Sequence, residues 1–437
     1  MVPFIKGVDK MLDIKLIRTE PEKVKANIRK REMDLDAVID EIIAIDESRR
    51  EMTAKVDAMK AEQNVVNKKI PALKKSGEDI TELMVEMKRL SESIKEENQI
   101  LTQLEEKQKE CMLQLPNLPD EDVIAGGKEN NEPVRTFLEK PEFDFEIKNH
   151  MDLCEALGII DYKRGVKLAG NGSWVYRGDG ARLEWALLNF FVAEHLADGY
   201  ELLLPPHMLG WECGYVAGQF PKFAEEVYWI KNPTSEDDKF MLPTAETALV
   251  NMHRDEILTE DELPKKYMAY TPCYRREAGS YRSEERGMIR GHQFNKVEMV
   301  QYATEEGSDA AFEELVGKAE RIVQKLGLHH QVSKLAAADV SASMARTYDI
   351  EVWIPSMGIY KEVSSASNAR EYQARRGNIK YRDGDKKLHF AHTLNASGLA
   401  TSRVFPALIE QYQNADGSIT IPEVLRPFMG KDKIEAK

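Results

Sequence analysis

The stretch YRREAGSYRSEERGMIRGHQFNKVEMV, residues 274–300, mixes charged and apolar side chains in an alternating order. It holds five arginines, one lysine and four glutamates. Because side chains of a strand alternate between two faces, the second half predicts one apolar face with Ile289, Val297 and Met299. The other face carries polar and aromatic groups: Arg290, His292, Phe294, Lys296 and Glu298. The run before it, KKYMAYTPCYRRE, alternates in the same way, and the two runs together predict a β-hairpin.

The polar face of this hairpin has two interpretations. It is either a solvated sheet surface laced with ion pairs, or a site that binds an anion, a flat ring and an amine together. In the second case Arg275 would form a bidentate pair with a phosphate or carboxylate, Phe294 would stack on a ring, and Glu298 would neutralise an ammonium. Charges that alternate with apolar residues need a partner if they are buried, which favours a site.

Length and composition narrow the class of protein. With 437 residues the chain is long enough for two or more domains. A formal charge of −14 argues against a globally basic nucleic-acid binder. The four cysteines lie far apart without a CxxC pair, which argues against a disulfide scaffold or zinc site and suits a reducing compartment. Without a long apolar run or a signal-peptide layout, we expect a soluble cytoplasmic protein with no membrane partner.

The N-terminal part carries a heptad pattern in two segments. The first runs from Val38 to Ile70 and the second from Leu83 to Leu115, separated by PALKKSGED. This predicts an antiparallel coiled-coil hairpin that projects into solvent. Residues 49–75 hold eight Lys or Arg and three Asp or Glu, a net charge of +5. The hairpin is either a dimerisation coil or a basic arm for a phosphate backbone, and the charge favours the arm.

The character of the chain changes at a linker that holds Pro116 and Pro119. Beyond it, strand-like runs are bracketed by helical segments without regular βαβ spacing. We therefore predict an α+β protein: residues 1–120 form an N-terminal domain with the coiled-coil arm, and residues 121–437 form a domain in which helices flank an antiparallel sheet. No P-loop, GxGxxG, GxSxG or HExxH motif is present in the sequence, so neither a common nucleotide loop nor a zinc centre is expected.

Several motifs together resemble the class II aminoacyl-tRNA synthetases, and in detail the seryl-tRNA synthetases. TPCYRREAG with RGMIRGHQFNKVEMV is similar to the family's second signature motif. The other resembling segments follow in order: GYELLLPP (motif 1), LPTAET, YDIEVWIPSMGIYKEVSSASN, EYQARR, HTLNASGLATSR (motif 3) and GSITIPEVLRPFM. The resemblance covers about residues 11 to 430, and the hairpin at 38–115 matches the family's tRNA-binding arm.

The resemblance implies an activity. L-Serine would be activated with ATP to seryl-adenylate, and the seryl group would pass to tRNA(Ser), and to tRNA(Sec) where that tRNA is present. It also implies Mg²⁺ bound with ATP, no zinc, and a homodimer.

The resemblance also implies roles for particular residues. Arg275 and Arg403 would be catalytic, on the α-phosphate with the serine carboxylate and on the γ-phosphate. Glu277 would read the adenine and Phe294 would stack on it. Metal would bind to Glu362 and Ser365. Serine would be bound by Thr244, Ala245, Glu246, Arg275, Glu298 and Ser397. ATP would be bound by Arg275, Arg276, Glu277, Phe294, Glu362, Val363, Ser364, Ser365 and Arg403.

The chain departs from the family pattern at Ala217, in the loop YRSEERG at residues 281–287, and in the ten residues before Met11. Two other functions stay open on the sequence alone. One is a serine-activating homologue that loads a carrier protein, against which the basic arm argues. The other is a non-catalytic coiled-coil scaffold, against which the intact Arg275, Glu277, Glu362 and Arg403 argue.

Overall fold

The computed structural model describes residues 11–77, 79–235, 237–277 and 287–435. The described chain divides into two compact units. The smaller unit takes residues 11–29 and 33–116, and the larger takes residues 30–32 and 117–435. The larger unit is discontinuous along the chain: residues 30–32, from the N-terminal region, belong to it.

The smaller unit is helical. Its helices are α1 (Ile14–Thr19), α2 (Pro21–Arg29), α3 (Asp36–Ser76) and α4 (Thr81–Met112). Helices α3 and α4 pack along each other, and the heptad side chains Ile42, Val56 and Ile94 are buried between them. Exposed pairs cross the hairpin, such as the Lys55 ammonium 2.6 Å from the Glu97 carboxylate. The predicted antiparallel helical hairpin is confirmed.

One heptad slot of α3 holds Arg49 instead of an apolar residue, and the structure explains it. Arg49 donates to the buried carboxylate of Asp46 at 3.0 Å, and Arg18 donates to the same carboxylate at 3.1 Å. Although burial raises the pKa of Asp46, these hydrogen bonds and a third from Gln108 bring it below its usual value. The interface of α3 and α4 therefore contains a polar cluster in which the Asp46 carboxylate is paired, although Arg49 Nε and Gln108 Oε1 have no hydrogen-bond partner among the described residues.

The turn of the hairpin begins later than the sequence predicts. Helix α3 continues through Pro71 to Ser76 and ends at Gly77, whose φ of 76° is left-handed. The Gly77 amide donates back to the Leu73 and Lys74 carbonyls, which closes the helix. Because Pro71 removes a single hydrogen bond on a solvated helix, it does not stop the helix by itself.

The larger unit contains the other helices and all the strands. Its helices are α5 (His150–Leu157), α6 (Tyr162–Ala169), α7 (Asp179–Ala197), α8 (Trp211–Val216), α9 (Glu246–Leu249), α10 (Ser308–Lys325), α11 (Tyr372–Gly377), α12 (Thr401–Gln411) and α13 (Arg426–Met429). Its strands are β1 (Glu132–Phe137), β2 (Ile160–Asp161), β3 (Val175–Tyr176), β4 (Glu201–Leu203), β5 (Met208–Leu209), β6 (Trp229–Ile230), β7 (Lys239–Met241), β8 (Ile257–Thr259), β9 (Lys265–Tyr274), β10 (Gln293–Ala303), β11 (His330–Lys334), β12 (Arg346–Ile354), β13 (Ile359–Asn368), β14 (Lys380–Arg382), β15 (Leu388–Phe390), β16 (His392–Ala400), β17 (Ile419–Thr420) and β18 (Lys433–Ile434).

Eight strands form the main sheet, in the order β1-β11-β12-β13-β16-β10-β9-β4. All neighbours are antiparallel except β4 and β9, which are parallel. Helices α7, α10 and α12 pack against the sheet, and the apolar side chains between them form the main core. The predicted α+β fold with an antiparallel sheet flanked by helices is confirmed.

The predicted hairpin of residues 265–303 exists as β9 and β10, with Phe294 opposite Cys273. Val297 and Met299 are fully buried in the core, as the alternation predicts. Strand β10 begins only at Gln293, so the prediction of strand for residues 287–292 is wrong. The His292 amide donates to the Gly172 carbonyl instead, and the Trp174 ring packs against Gly291. In the described part of the chain, no helix is both long and apolar enough to cross a bilayer.

Candidate active site

Two adjoining cavities lie where β9, β10, β13 and β16 present their polar faces. The large cavity has a volume of about 420 Å³ and the small cavity a volume of about 80 Å³. Five residues line both of them: Arg275, Glu277, Lys296, Glu362 and Ser397. These five side chains are therefore able to contact a molecule in either cavity.

A network centred on Glu298 forms one side of the large cavity. The buried Lys296 ammonium lies 2.5 Å from the Glu298 carboxylate and donates to the Thr244 hydroxyl at 2.8 Å. The Asn395 amide donates to the same carboxylate at 3.0 Å, and the Ser397 hydroxyl lies 3.5 Å from it. Strands β10 and β16 pair here with Glu298 opposite Ser397, which explains how these side chains meet. The pairing indicates a carboxylate that accepts an ammonium.

Glu246, in the first turn of α9, is the second carboxylate of the large cavity. Burial, followed by the nearby charge of Glu298, raises the pKa of Glu246 to about 7. The amide of Gln373 donates to it at 2.8 Å, and the Thr393 hydroxyl donates to the other end of that amide at 2.7 Å. This fixes the orientation of the Gln373 amide. Near neutral pH, Glu246 is able either to accept or to donate a hydrogen bond.

Arg275, at the exit of β9, lies where the two cavities meet. Among the described residues its guanidinium makes a single hydrogen bond, from Nε to the Pro243 carbonyl at 3.3 Å. The guanidinium carbon lies 5.2 Å from the centre of the Phe294 ring, over its face. A guanidinium held at its base in this way presents its fork to an anion.

The small cavity joins an aromatic face to positive charge. It is lined by Phe294 from β10, by Val363 from β13, and by Arg403 from the first turn of α12. Arg403 donates to the Glu362 carbonyl at 2.9 Å and lies 3.4 Å from its carboxylate. Glu277 forms a close ion pair with Arg290 at the rim. This combination suits a flat ring carrying a polyanionic tail.

Oxygen donors cluster beside the Glu362 carboxylate. Ser365 lies opposite Asp349 in the pairing of β13 with β12. Burial and the charge of Glu362 raise the pKa of Asp349 well above its usual value, and its Oδ1 has no hydrogen-bond partner among the described residues. Carboxylate and hydroxyl oxygens suit a hard cation such as Mg²⁺. Within the described residues, no three His, Cys, Asp or Glu side chains stand close enough to hold a metal by themselves.

Most residues that the sequence singles out line one cavity or both. These are Thr244, Glu246, Arg275, Glu277, Phe294, Glu298, Glu362, Val363, Ser365, Ser397 and Arg403. Three others line neither. Ala245 is buried beside α9, the Ser364 hydroxyl donates to the Ser397 carbonyl at 2.5 Å, and the Arg276 guanidinium donates to the Glu225 carbonyl at 2.8 Å.

Sequence reasoning left out Lys296, Asn395 and Gln373. The first two carried a signal, since Lys296 lies on the predicted polar face and Asn395 shares a face with Ser397 in HTLNASG. Gln373 reaches Glu246 from another segment, and no local pattern points to it. Ala217 lines the large cavity, and its carbonyl accepts from Gln373 at 3.1 Å. Residues 281–286 of the departing loop, and the ten residues before Met11, lie outside the described residues.

The chain is similar to known proteins over almost its whole length. Residues 228–412 match the family model of the tRNA synthetase class II core domain (G, H, P, S and T), and residues 11–119 match that of the seryl-tRNA synthetase N-terminal domain. The chain is 58% identical to serine–tRNA ligase 2 of Clostridium acetobutylicum, over 97% of this chain and 100% of the relative. It is 45% identical to a serine–tRNA ligase of Kosmotoga olearia, over 97% and 100%. A crystal structure of seryl-tRNA synthetase from Pyrococcus horikoshii complexed with ATP superposes with a TM-score of 0.91 at 32% identity, covering 98% of this chain and 100% of that one.

Proposed function

The chain belongs to the seryl-tRNA synthetases, and on this premise we propose how its residues divide the work of a serine–tRNA ligase. The enzyme activates L-serine with ATP to seryl-adenylate and transfers the seryl group to tRNA(Ser). The observation that supports our assignment most is that Arg275 lines both cavities. A group in that position is able to hold two anions against each other.

Serine occupies the large cavity. Its ammonium and hydroxyl lie among Thr244, Glu246, Glu298 and Ser397, with Ala245 behind them. Although Lys296 already pairs with Glu298, a carboxylate has about four acceptor sites, so Glu298 is able to accept the serine ammonium as well. Hydrogen-bonding groups that are ready for a hydroxyl make the pocket selective, since a substrate without it leaves them unpaired.

ATP occupies the small cavity and extends past Arg275. The adenine stacks on Phe294, Glu277 reads its amino edge, and Arg403 holds the γ-phosphate. Val363 completes the pocket wall, and Ser364 supports it through the Ser397 carbonyl. The side chain of Arg276 is occupied by the Glu225 carbonyl, so its contribution to ATP binding stays a prediction.

The serine carboxylate attacks the α-phosphorus of ATP. A carboxylate–phosphorus bond forms, the bond from the α-phosphorus to the bridging oxygen breaks, and pyrophosphate leaves with the electron pair. Because the nucleophile is already ionised, no residue needs to take a proton. Arg275 aligns the two anions and stabilises the charge that develops between them.

Glu362 and Ser365 would hold Mg²⁺ that arrives with ATP. Their oxygen donors and the orphaned buried oxygen of Asp349 fit such an ion. When bound, the ion supplies charge neutralisation on the phosphates and on pyrophosphate as it departs.

The helical hairpin of α3 and α4 binds the tRNA. The net charge of +5 over residues 49–75, in a chain of −14, supports this assignment. The terminal ribose hydroxyl of the tRNA then attacks the carbonyl carbon of seryl-adenylate, the bond from that carbon to the phosphate oxygen breaks, and AMP leaves with the electron pair while the hydroxyl proton passes to solvent. Cytoplasmic location and service to tRNA(Sec) stay predictions that rest on family membership.

The active protein is a homodimer formed through the edge of the main sheet. Strand β4 is an edge strand, and large apolar side chains around it are exposed: Trp185 by 56%, Leu204 by 79% and Met208 by 58%. An exposed apolar patch beside a sheet edge is typical of an interface. We expect Leu204→Glu to yield monomers in light scattering, whereas Leu168→Glu, at an exposed leucine on α6, leaves the dimer intact. A dimer with Leu204→Glu would contradict this surface.

A pyrophosphate-exchange assay over all amino acids, with and without tRNA, tests the proposed function. We expect exchange that depends on serine and ATP and does not require tRNA, and charging of tRNA(Ser) in the complete reaction. Exchange with serine but no tRNA charging would favour a carrier-protein loader, and no exchange at all would favour a scaffold. Exchange with another amino acid would refute the assignment of the large cavity.

A further inference from the structure

A buried arginine supports the wall of the large cavity from behind. Arg31 belongs to the three-residue segment 30–32 of the larger unit, and only 5% of it is exposed. Its guanidinium donates to five backbone carbonyls. Nε donates to Asn117 at 2.9 Å, Nη1 to Ala337, Val340 and Ser341 at 3.1, 2.8 and 3.4 Å, and Nη2 to Met344 at 2.5 Å.

Four of these carbonyls belong to one loop, residues 335–345, which connects β11 to β12. The loop presents Ser341, Ser343 and Met344 to the large cavity, and none of its residues lines the small one. The carbonyls of Ala337, Val340 and Met344 turn toward Arg31, whereas the Ser341 carbonyl also accepts the Met344 amide within the loop at 2.9 Å. A loop that curls in this way needs a donor with several N–H groups at its centre.

Arg31 carries a full charge at neutral pH despite its burial. Burial lowers the pKa of Arg31 to about 10, which leaves the guanidinium protonated. Backbone carbonyls are the hydrogen-bond partners of Arg31 in the described part of the chain, so their dipoles solvate the charge. Removing the side chain would take this donor from three buried carbonyls of one loop, those of Ala337, Val340 and Met344, and such groups move to find another partner.

A second polar side chain acts on the same loop. The Asn117 amide donates to the Ser343 carbonyl at 3.0 Å and to the Ala369 carbonyl at 2.8 Å. The backbone amide of Asn117 donates to the Ala342 carbonyl at 2.7 Å. Arg31 in turn donates to the Asn117 carbonyl, so the two residues form one support behind the loop.

We propose that Arg31 is a positioning residue for serine recognition: it sets the shape of the loop 335–345 and through it the wall of the large cavity. This inference rests on the proposed function, because it takes the large cavity as the serine pocket. Arg31 lines neither cavity. Its effect should fall on serine and spare ATP, because the loop borders only the large cavity.

Steady-state exchange kinetics with Arg31→Ala test the proposal. We expect the KM for serine to rise by about tenfold or more, since small misplacements of a pocket wall cost up to about 10²-fold. The KM for ATP should stay within about twofold, and the fraction of active sites, titrated by burst formation of adenylate, should stay near that of the parent. A purely structural residue would lower the active fraction and leave both KM values unchanged.

Two further measurements make the result specific to the guanidinium. Arg31→Lys keeps the charge but offers three donors from one atom, so we expect the same rise in the KM for serine. Free guanidinium at a concentration below denaturation should lower the KM for serine of Arg31→Ala, whereas urea should not. If Arg31→Ala does not fold, Arg31→Lys carries the test.

Arg135→Ala is the matched control. Arg135 lies in the same unit and forms a partly buried ion pair with Glu320 at 2.7 Å, away from both cavities. We expect its KM for serine to equal that of the parent. An unchanged KM for serine in Arg31→Lys, or an equal rise in the KM for ATP, would overturn the positioning role. Failure of the parent to exchange with serine would instead refute the proposed function.

Discussion

Replacing Arg275 with alanine should abolish most adenylate formation while leaving the fold intact. Within the described residues its side chain makes one hydrogen bond, at 3.3 Å to the Pro243 carbonyl. Its loss costs about 1 kcal/mol or less, which for a unit of this size lowers Tm by about 2 °C. Its contribution to the reaction is larger. Removing a single donor aimed at developing charge costs about 10²–10³ in rate, and a charged fork that aligns both anions lies at or above the upper end.

The assay is serine-dependent pyrophosphate exchange with the melting temperature measured on the same samples. We expect a fall of about 10³ in kcat/KM. The matched control is Arg382→Ala, because Arg382 also donates one bond to a backbone carbonyl, that of Lys386 at 3.1 Å, on an exposed strand. Exchange near the parental rate would refute the assignment of Arg275. A loss of exchange that parallels a large loss of stability would refute the view that its role is charge alone.

Three other predictions address the arm, specificity and pH. Replacing residues 38–115 with a short linker should leave serine-dependent exchange unchanged and lower tRNA charging. Replacing Lys68 and Lys69 with glutamate should have the same effect. Equal loss of both activities would mean that the catalytic unit needs the arm for its own structure. Alanine should be activated about 10⁴–10⁵-fold less than serine, and threonine should be excluded by its methyl group. Glu298→Gln should raise the KM for serine and leave the KM for ATP unchanged. Comparable exchange with alanine and serine would refute the polar pocket. Because the folded-state pKa of Glu246 is about 7 against a reference of 4.5, the folded protein binds this proton more tightly, so the carboxylate destabilises the fold increasingly as pH rises from 4.5 to 7. Glu246→Gln should therefore raise the free energy of unfolding at pH 8 by about 3 kcal/mol at most, and change it little at pH 4.5. Urea denaturation at the two pH values measures this. The same change at both pH values would show that the charge of Glu246 is not what destabilises the fold.

Local patterns were sufficient to predict the elements and the polar face. The heptad from Val38 gave α3 and α4, and period two gave the buried Val297 and Met299, because both patterns reflect which face of one element is covered. Bounds were less predictable. Pro71 lies inside α3, because a solvated helix tolerates the loss of one hydrogen bond. Strand β10 starts only at Gln293, because the Trp174 ring packs against Gly291 just before it.

The candidate site was predictable where its residues lie on one strand or in a known motif. Phe294 and Glu298 follow from the alternation on β10, and Arg275 directly follows the last residue of β9. Gln373 and Arg31 do not, because each acts on a segment distant in sequence and neither lies in a periodic run. The guanidinium of Arg31 binds backbone carbonyls, which every residue has. No acidic residue in the sequence therefore points to it as a buried arginine.

The discontinuity of the larger unit has a consequence during synthesis. Arg31 leaves the ribosome 306 to 313 residues before the carbonyls of Ala337 and Met344 that it will hold. At about 5–20 residues per second, the nascent chain exposes this guanidinium for roughly 15 to 60 s without those acceptors. This wall of the large cavity is thus completed only after the loop 335–345 has been synthesised, and a chain that terminates earlier leaves the Arg31 guanidinium without the four loop carbonyls. In such an incomplete chain water solvates the Arg31 guanidinium, whereas in the complete protein the guanidinium is buried.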